Sequence, residues 1–237
     1  MLTIRPAQSR PLRDRPRIAL RQRPGLRLAG QPAVPGGAGD QAAVTPEQPN
    51  PRFESKARRR ELLNLLRVAN AAKHLDHMPG QGCTIHGIMR GNYSFCDLIP
   101  AVLKLIVPVR FEYVAATTLG FSRKASLQLI DLLDAGHVQR LDFICADFFE
   151  KADSEICQFA RAELTRRGSR FTAARCHAKI ILLAGTDGSR YTSESSANIR
   201  ACRSIEQFAL TNDPELFDFH RRWIDEIFHA PEKANQA

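Results

Sequence analysis

Between Phe111 and Leu183, short apolar runs alternate with longer stretches whose apolar residues recur at helical spacing, and that alternation leaves few architectures open. Phe111 to Thr118 has the β-branched and aromatic content of a strand and ends in a Gly-containing loop. Ser122 suits the N-cap of a helix that carries Leu127, Leu129, Ile130, Leu132 and Leu133 and stops at Gly136. Leu141 to Cys145 is a second strand. A helix from Ala152 to Arg167, with Ile156, Phe159, Ala160 and Leu164 on one side, closes at Gly168. Phe171 to Ala174 then leads to the apolar run Ile180 to Leu183, which a Gly185-Thr186-Asp187-Gly188 turn stops. Strand, helix, strand, helix, strand predicts an α/β fold with helices covering the sheet.

The flanks are simpler. A helix is expected from Ser55 to Leu75, a strand over Cys83 to Met89, and a helix from Asp97 to Val107 with Pro100 in its first turn. Asp213 as N-cap and Pro214 at the first position open a last helix through Phe217, Trp223, Ile224 and Ile227. His74 and His77 have the spacing of half a metal site, but no second ligand pair accompanies them. They fit a helix C-terminus, where an imidazole meets the dipole. Residues 1–52, rich in Arg, Pro, Gly and Ala, lack the apolar periodicity that would offset the entropy of ordering and are expected to be a disordered basic tail. Two further regions follow, an extension at 53–109 and the main domain at 110–230.

The formal charge of +9 needs to be located before it is used. Of the 34 Lys+Arg and 25 Asp+Glu, 13 and 4 fall in residues 1–60, leaving 21 of each in the remainder. The body is therefore balanced, and a nucleic-acid footprint there must come from local clusters. Arg166, Arg167, Arg170 and Arg175 form one such run, with Arg190, Arg200 and Arg203 further on. The six cysteines are scattered without metal-ligand spacing, which fits free thiols in a reducing compartment and a cytoplasmic protein. No apolar stretch is long enough to span a bilayer, so no integral membrane association is expected.

Chemistry concentrates at the mouth of the Ile180 run. His177 and Lys179 are two residues apart, and on a strand that spacing would put an imidazole and an ammonium on one face. Ser196 and Asn198 repeat the spacing with a hydroxyl and an amide. A nucleophilic ring, a fixed cation and two neutral donors form a cradle for a phosphodiester whose charge must be neutralised during attack.

The string His177-x-Lys179, Ser196-x-Asn198 and Glu206-Gln207 before a strand-like Phe208-Ala209-Leu210 resembles the phospholipase D superfamily and its His-x-Lys signature, in its single-motif bacterial endonuclease-like form. The resemblance covers about thirty residues closely and reaches back to about Phe111. Two positions depart from the family pattern: Ala184 stands where an Asp follows the Lys by five residues, and Ser195 where a Gly precedes the Ser. The resemblance implies a phospholipase D-like mixed sheet flanked by helices and a metal-independent phosphodiesterase without cofactor. His177 would form a phosphohistidine, and Lys179 and Asn198 would hold the nonbridging oxygens. Ser196 would donate a further hydrogen bond, and Glu206 would orient the imidazole. Arg175, Arg200 and Arg203 would track a substrate backbone. Because the chain holds one motif and the chemistry uses two imidazoles, a homodimer sharing one site is expected. Nucleic acid is the expected substrate. A noncatalytic nucleic-acid-binding module of the same fold is the alternative, and a phospholipase or phosphatidyl transferase a more distant one.

Overall fold

The computed structural model describes residues 51–201 and 203–230, with side chains described from residue 61 onward. The expected disordered tail lies outside the described residues, apart from its last two positions. Six helices and seven strands follow in the order α1 (Pro51–Leu75), β1 (Thr84–Met89), α2 (Leu98–Leu105), β2 (Phe111–Thr118), α3 (Arg123–Asp134), β3 (Leu141–Ala146), α4 (Asp147–Ala152), α5 (Ser154–Thr165), β4 (Arg170–Ala174), β5 (Ile180–Gly185), β6 (Arg190–Ser195), β7 (Glu206–Asn212) and α6 (Pro214–His229). The strands form one sheet in the order β1-β7-β6-β5-β2-β3-β4. β2, β3 and β4 run parallel, whereas β2–β5, β5–β6, β6–β7 and β7–β1 are antiparallel. The expected α/β class, a mixed sheet flanked by helices, is what the chain forms. β1, from the 53–109 segment, pairs with β7 and extends the same sheet.

Local chemistry accounts for the boundaries. Ser122 Oγ accepts from the Ala125 amide at 3.3 Å, and Asp213 Oδ1 from the Glu215 amide at 2.8 Å, so both helices start at the residues that satisfy their free donors. The helix expected from Ser55 begins at Pro51. The helix expected over Ala152 to Arg167 is α5, Ser154–Thr165, and a short helix not expected from the sequence, α4, Asp147–Ala152, precedes it. β6 is a strand that apolar periodicity does not reveal, because Thr192 and Ser193, not aliphatic residues, are its buried centre. Ser193 Oγ makes this burial tolerable by donating to the Ala209 carbonyl at 2.9 Å.

Two cores lie on opposite faces of the sheet. The larger gathers α1, α2, α3 and α5 over residues such as Phe111, Val114, Phe143, Ile181 and Leu183. Within it Phe121, Phe143 and Phe171 contact one another, with ring centroids 4.9 to 6.1 Å apart. The smaller gathers α6 over Tyr113, Ala115, Ile144, Ile180, Leu182 and Ala184 through Phe217 and Ile224. α6 is also tied to the parallel half of the sheet. Arg170 bridges Asp142 on β3, at 2.9 and 2.6 Å, and Asp225 on α6, at 2.5 Å. Asp142 is fully buried, so this bidentate pairing is what allows a carboxylate to lie under the helix.

Two positions generate stability predictions. A Cβ on Gly87 would lie 2.3 Å from the Phe208 ring, which is itself buried and packed edge-on against His74. Gly87→Ala should lower the thermal midpoint by about 3–10 °C, the range of an overpacked core in a domain of this size. The second concerns His220, buried in α6. Its Nδ1 accepts from Trp223 Nε1–H at 3.0 Å, which leaves the ring proton on Nε2, 3.3 Å from Glu194 Oε1 but not aligned for a hydrogen bond. Burial holds the His220 pKa below the ordinary imidazole value, against the opposing pull of the Glu194 carboxylate. The unfolded chain therefore takes up this proton first as pH falls, so the contribution of His220 is complete above about pH 6.5 and is lost below it. Thermal melts between about pH 8 and about pH 5 should show a smaller loss of stability in His220→Gln than in the wild type; equal slopes would contradict the assignment.

Candidate active site

The strand directions bring one set of loops to one edge of the sheet. The C-terminal ends of β2, β3 and β4, the start of β5, the end of β6 and the start of β7 all lie along it. In α/β sheets the crevice beyond the carboxyl ends of parallel strands is the usual place for a ligand.

His177 and Lys179 are in the connection between β4 and β5, not on a strand, so their proximity does not come from pleat geometry. The lysine folds back instead: Nζ lies 3.3 Å from His177 Nδ1 and donates to the His177 carbonyl at 3.1 Å. An ammonium only donates, so Nδ1 accepts and the neutral ring carries its proton on Nε2. The imidazole is exposed and the lysine half-buried.

Ser196 and Asn198 lie in the loop after β6 and do not share an extended face. Ser196 Oγ donates to the Glu206 carboxylate and accepts from the Gln207 amide at 3.0 Å. Asn198 Oδ1 accepts from the Leu119 amide at 3.2 Å and Thr118 Oγ1 at 3.3 Å, which leaves its amide N–H groups as the end available to a ligand. The expected bond from Glu206 to the imidazole is absent among the described residues; the carboxylate is engaged by Ser196. The two loops are nonetheless joined, because the Ser195 amide donates to the Lys179 carbonyl at 3.0 Å.

The residues that hold these loops are Thr117 and Thr118, which sequence reading passed over as the end of a strand. Thr117 Oγ1 donates to the Ala178 carbonyl and accepts from the Ile180 amide, both at 3.1 Å. Thr118 Oγ1 lies 2.9 Å from the Gly120 carbonyl and accepts from the Ile199 amide at 3.0 Å. Both are fully buried. Two consecutive hydroxyls on β2 thus pin the His177–Lys179 loop and the Asn198 loop to the same strand end. The available signal was a Thr-Thr pair closing the apolar run Tyr113 to Ala116, where alanine or valine would serve packing equally well.

The arginine clusters separate. Arg166, Arg167, Arg170 and Arg190 are held by carboxylates, Arg167 by Asp134 and Glu163 and Arg190 by Glu112, so the rim expected from both clusters together does not form from them. Arg175, Arg200 and Arg203 are exposed and make no ion pair among the described residues. Cys176 is half-buried, and burial pushes its thiol up, away from thiolate reactivity. Among the described residues no three His, Cys, Asp or Glu side chains converge to hold a metal ion, and the His74 ring instead bonds the Tyr93 hydroxyl at 2.5 Å. Ala184, in the place of the family carboxylate, is fully buried in the α6 core toward the far end of β5. At a rise of about 3.3 Å per residue it lies about 16 Å along the chain from Lys179, so a carboxylate there would enter apolar packing and not the loop edge.

No protein-family model matches the chain, and no curated protein matches it. Solved structures do. Nuc from Salmonella typhimurium, a phospholipase D family member, is 14% identical with a TM-score of 0.45 over 62% of this chain and 94% of that one. TrmBL2, an archaeal chromatin protein, is 13% identical with a TM-score of 0.42 over 76% of this chain and 63% of that one. A mutant of yeast tyrosyl-DNA phosphodiesterase 1 is 10% identical with a TM-score of 0.30 over 43% of this chain and 25% of that one.

The role of the Thr118 hydroxyl is measurable. Thr118→Val keeps the shape but leaves the Ile199 amide and the Gly120 carbonyl without this partner, and should cost about 1–3 kcal/mol in denaturant unfolding. Thr118→Ser should recover most of it; a valine variant as stable as the wild type would remove the pinning role.

Proposed function

We propose that the chain is a metal-independent phosphodiesterase acting on nucleic acid, with His177 as nucleophile. The observation that carries this reading is the exposed imidazole with an ammonium 3.3 Å from its Nδ1, beside a loop whose Asn198 amide is held with its donor end free. An ordinary surface histidine has no need of a cation against its ring; a phosphate site needs both groups together.

In the free protein Lys179 occupies Nδ1, and the Nε2–H form of His177 is a proton donor. When the nonbridging oxygens of a diester take the ammonium, Nδ1 is released to carry the proton and the Nε2 lone pair is available for attack. Nε2 then bonds phosphorus as the bond to the leaving oxygen breaks, and Lys179 and the Asn198 amide neutralise the equatorial oxygens. The leaving oxygen takes a proton from a second imidazole in its doubly protonated form, which is left neutral. Water, deprotonated by that imidazole, next cleaves the P–N bond and restores His177. With one motif per chain, the second imidazole is that of another copy, and the site is completed in a homodimer. Ser196 and Glu206 hold the start of β7 against the loop, a positioning role. Arg175, Arg200 and Arg203 supply the unpaired cations for a polyanionic backbone, which favours a nuclease over a lipid-cleaving enzyme. A cytoplasmic setting is consistent with the free thiols.

The position of Ala184 removes the main support for a noncatalytic module, since the missing carboxylate would lie away from the loop edge. Plasmid, single-stranded DNA, RNA and a chromogenic diester should be tested with and without EDTA. Cleavage is expected to survive chelation and to be lost in His177→Ala; binding without cleavage on every substrate selects the noncatalytic module. Light scattering should report a dimer. Re-equilibrating the wild type with an equal amount of His177→Ala should leave about half of the wild-type activity if both imidazoles serve one site, and essentially all of it if each chain acts alone.

A further inference from the structure

The described side chains of α1 divide between a buried C-terminal end and an exposed run before it. Ala71, Ala72 and Leu75 are buried, whereas Leu62, Leu63, Leu65 and Leu66 are 58, 50, 60 and 57% exposed. Each such leucine forgoes about 1.5–3 kcal/mol of burial, so packing among the described residues gives no reason for the cluster. Beside it, between α1 and α3 and along α2, runs a groove of about 1070 Å³ lined by Leu63, Leu65, Val68, Leu103, Val107 and Leu127. Among the described residues its charged lining is Lys104, Arg110, Arg123 and Lys124 against the single acid Asp131. The chain from residue 61 onward has equal numbers of acids and bases, so this four-to-one bias is a property of the groove and not of the composition.

The cations are also under-neutralised. Arg123 reaches Glu155 at 3.6 Å, and Lys104, Arg110 and Lys124 make no ion pair among the described residues. Burial and the nearby Arg67 guanidinium hold the Lys124 pKa below its ordinary value, and Arg67 itself is taken by Asp97 at 2.8 Å. An ammonium in that setting gains from an added carboxylate more than a solvated one does.

We propose that this groove docks an acidic amphipathic helix of a partner protein, its apolar stripe against Leu63, Leu65, Val68 and Leu127 and its carboxylates against Lys104, Arg110 and Lys124. The helix-in-groove mode requires an apolar trough between two helices with charges on its margins, which is the arrangement here. A small molecule fits less well, because the volume is at the upper limit of ligand pockets and the exposed leucines continue beyond the groove at Leu62 and Leu66. Nucleic acid has use for the cations but not for the leucine surface. The inference is independent of the chemistry assigned to His177.

Two synthetic helical peptides test it on the full chain by fluorescence anisotropy, both with leucines at i, i+3, i+4 and i+7, one flanked by Glu and the other by Lys. The Glu-flanked peptide should bind at least about tenfold tighter. Leu65→Asp, at an exposed position where the fold tolerates it, should weaken that peptide by about tenfold or more, with circular dichroism confirming an unchanged fold. The double variant Lys104→Glu/Lys124→Glu should transfer the preference to the Lys-flanked peptide. Equal binding of the two peptides, a preference that survives charge reversal, or a homodimer that Leu65→Asp dissociates while neither peptide binds would each overturn the proposal, the last by placing a second copy in the groove.

Discussion

The arrangement depends on the junction at β2, the strand that pairs parallel with β3 on one side and antiparallel with β5 on the other. A strand with a parallel neighbour cannot be reached by a hairpin, so the chain must cross over through α3, and its carboxyl end becomes an edge where loops collect. The antiparallel partner then delivers the start of β5 to that same edge. Thr117 and Thr118 stand where the two halves meet, and their hydroxyls substitute for ladder bonds that neither irregular loop provides. Two buried hydroxyls with good partners on both sides are net stabilising, whereas either loop without them would leave amides orphaned in the interior.

That junction also explains why the candidate site is polar at its surface and apolar directly beneath. Phe121, two residues past the Leu119 amide that holds Asn198, is clamped by Phe143 and Phe171. On the other face Ile180 begins the α6 core immediately after Lys179. The five-residue connection that carries His177 and Lys179 is therefore a short tether between two strands, which favours fixed placement of the ammonium. α6 is itself locked through Asp142, Arg170 and Asp225, so the support on that side depends on electrostatic pairing as much as on apolar contact.

Much of this was legible in the residues. Capping at Ser122 and Asp213, the Gly185 to Gly188 turn and the apolar runs of β2, β3 and β5 are local chemistry, and they appear where local chemistry puts them. β6 was not legible, because its buried centre is Thr192 and Ser193, and the fitness of Ser193 for the interior depends on the Ala209 carbonyl that lies opposite. The same limit applied to the site. A two-residue spacing suggested shared strand faces, yet His177, Lys179, Ser196 and Asn198 all lie in loops, where side-chain direction is set by partners and not by pleat. Likewise Arg167, Arg170 and Arg190 read as basic residues in sequence and are neutralised in space, because Asp134, Asp142, Glu112 and Asp225 come from distant positions.

The sequence by itself determined the α/β class and the order of most elements, since these follow from periodicity and capping within a short window, and it singled out His177, Lys179 and Asn198 as the candidate imidazole, ammonium and amide. Only the tertiary structure decided that Lys179 turns back onto His177, that Glu206 serves Ser196, and that two threonines pin both loops of the candidate site. Hydrogen-bond partners far apart along the chain are chosen by where strands pair, and pairing is a property of the complete sheet.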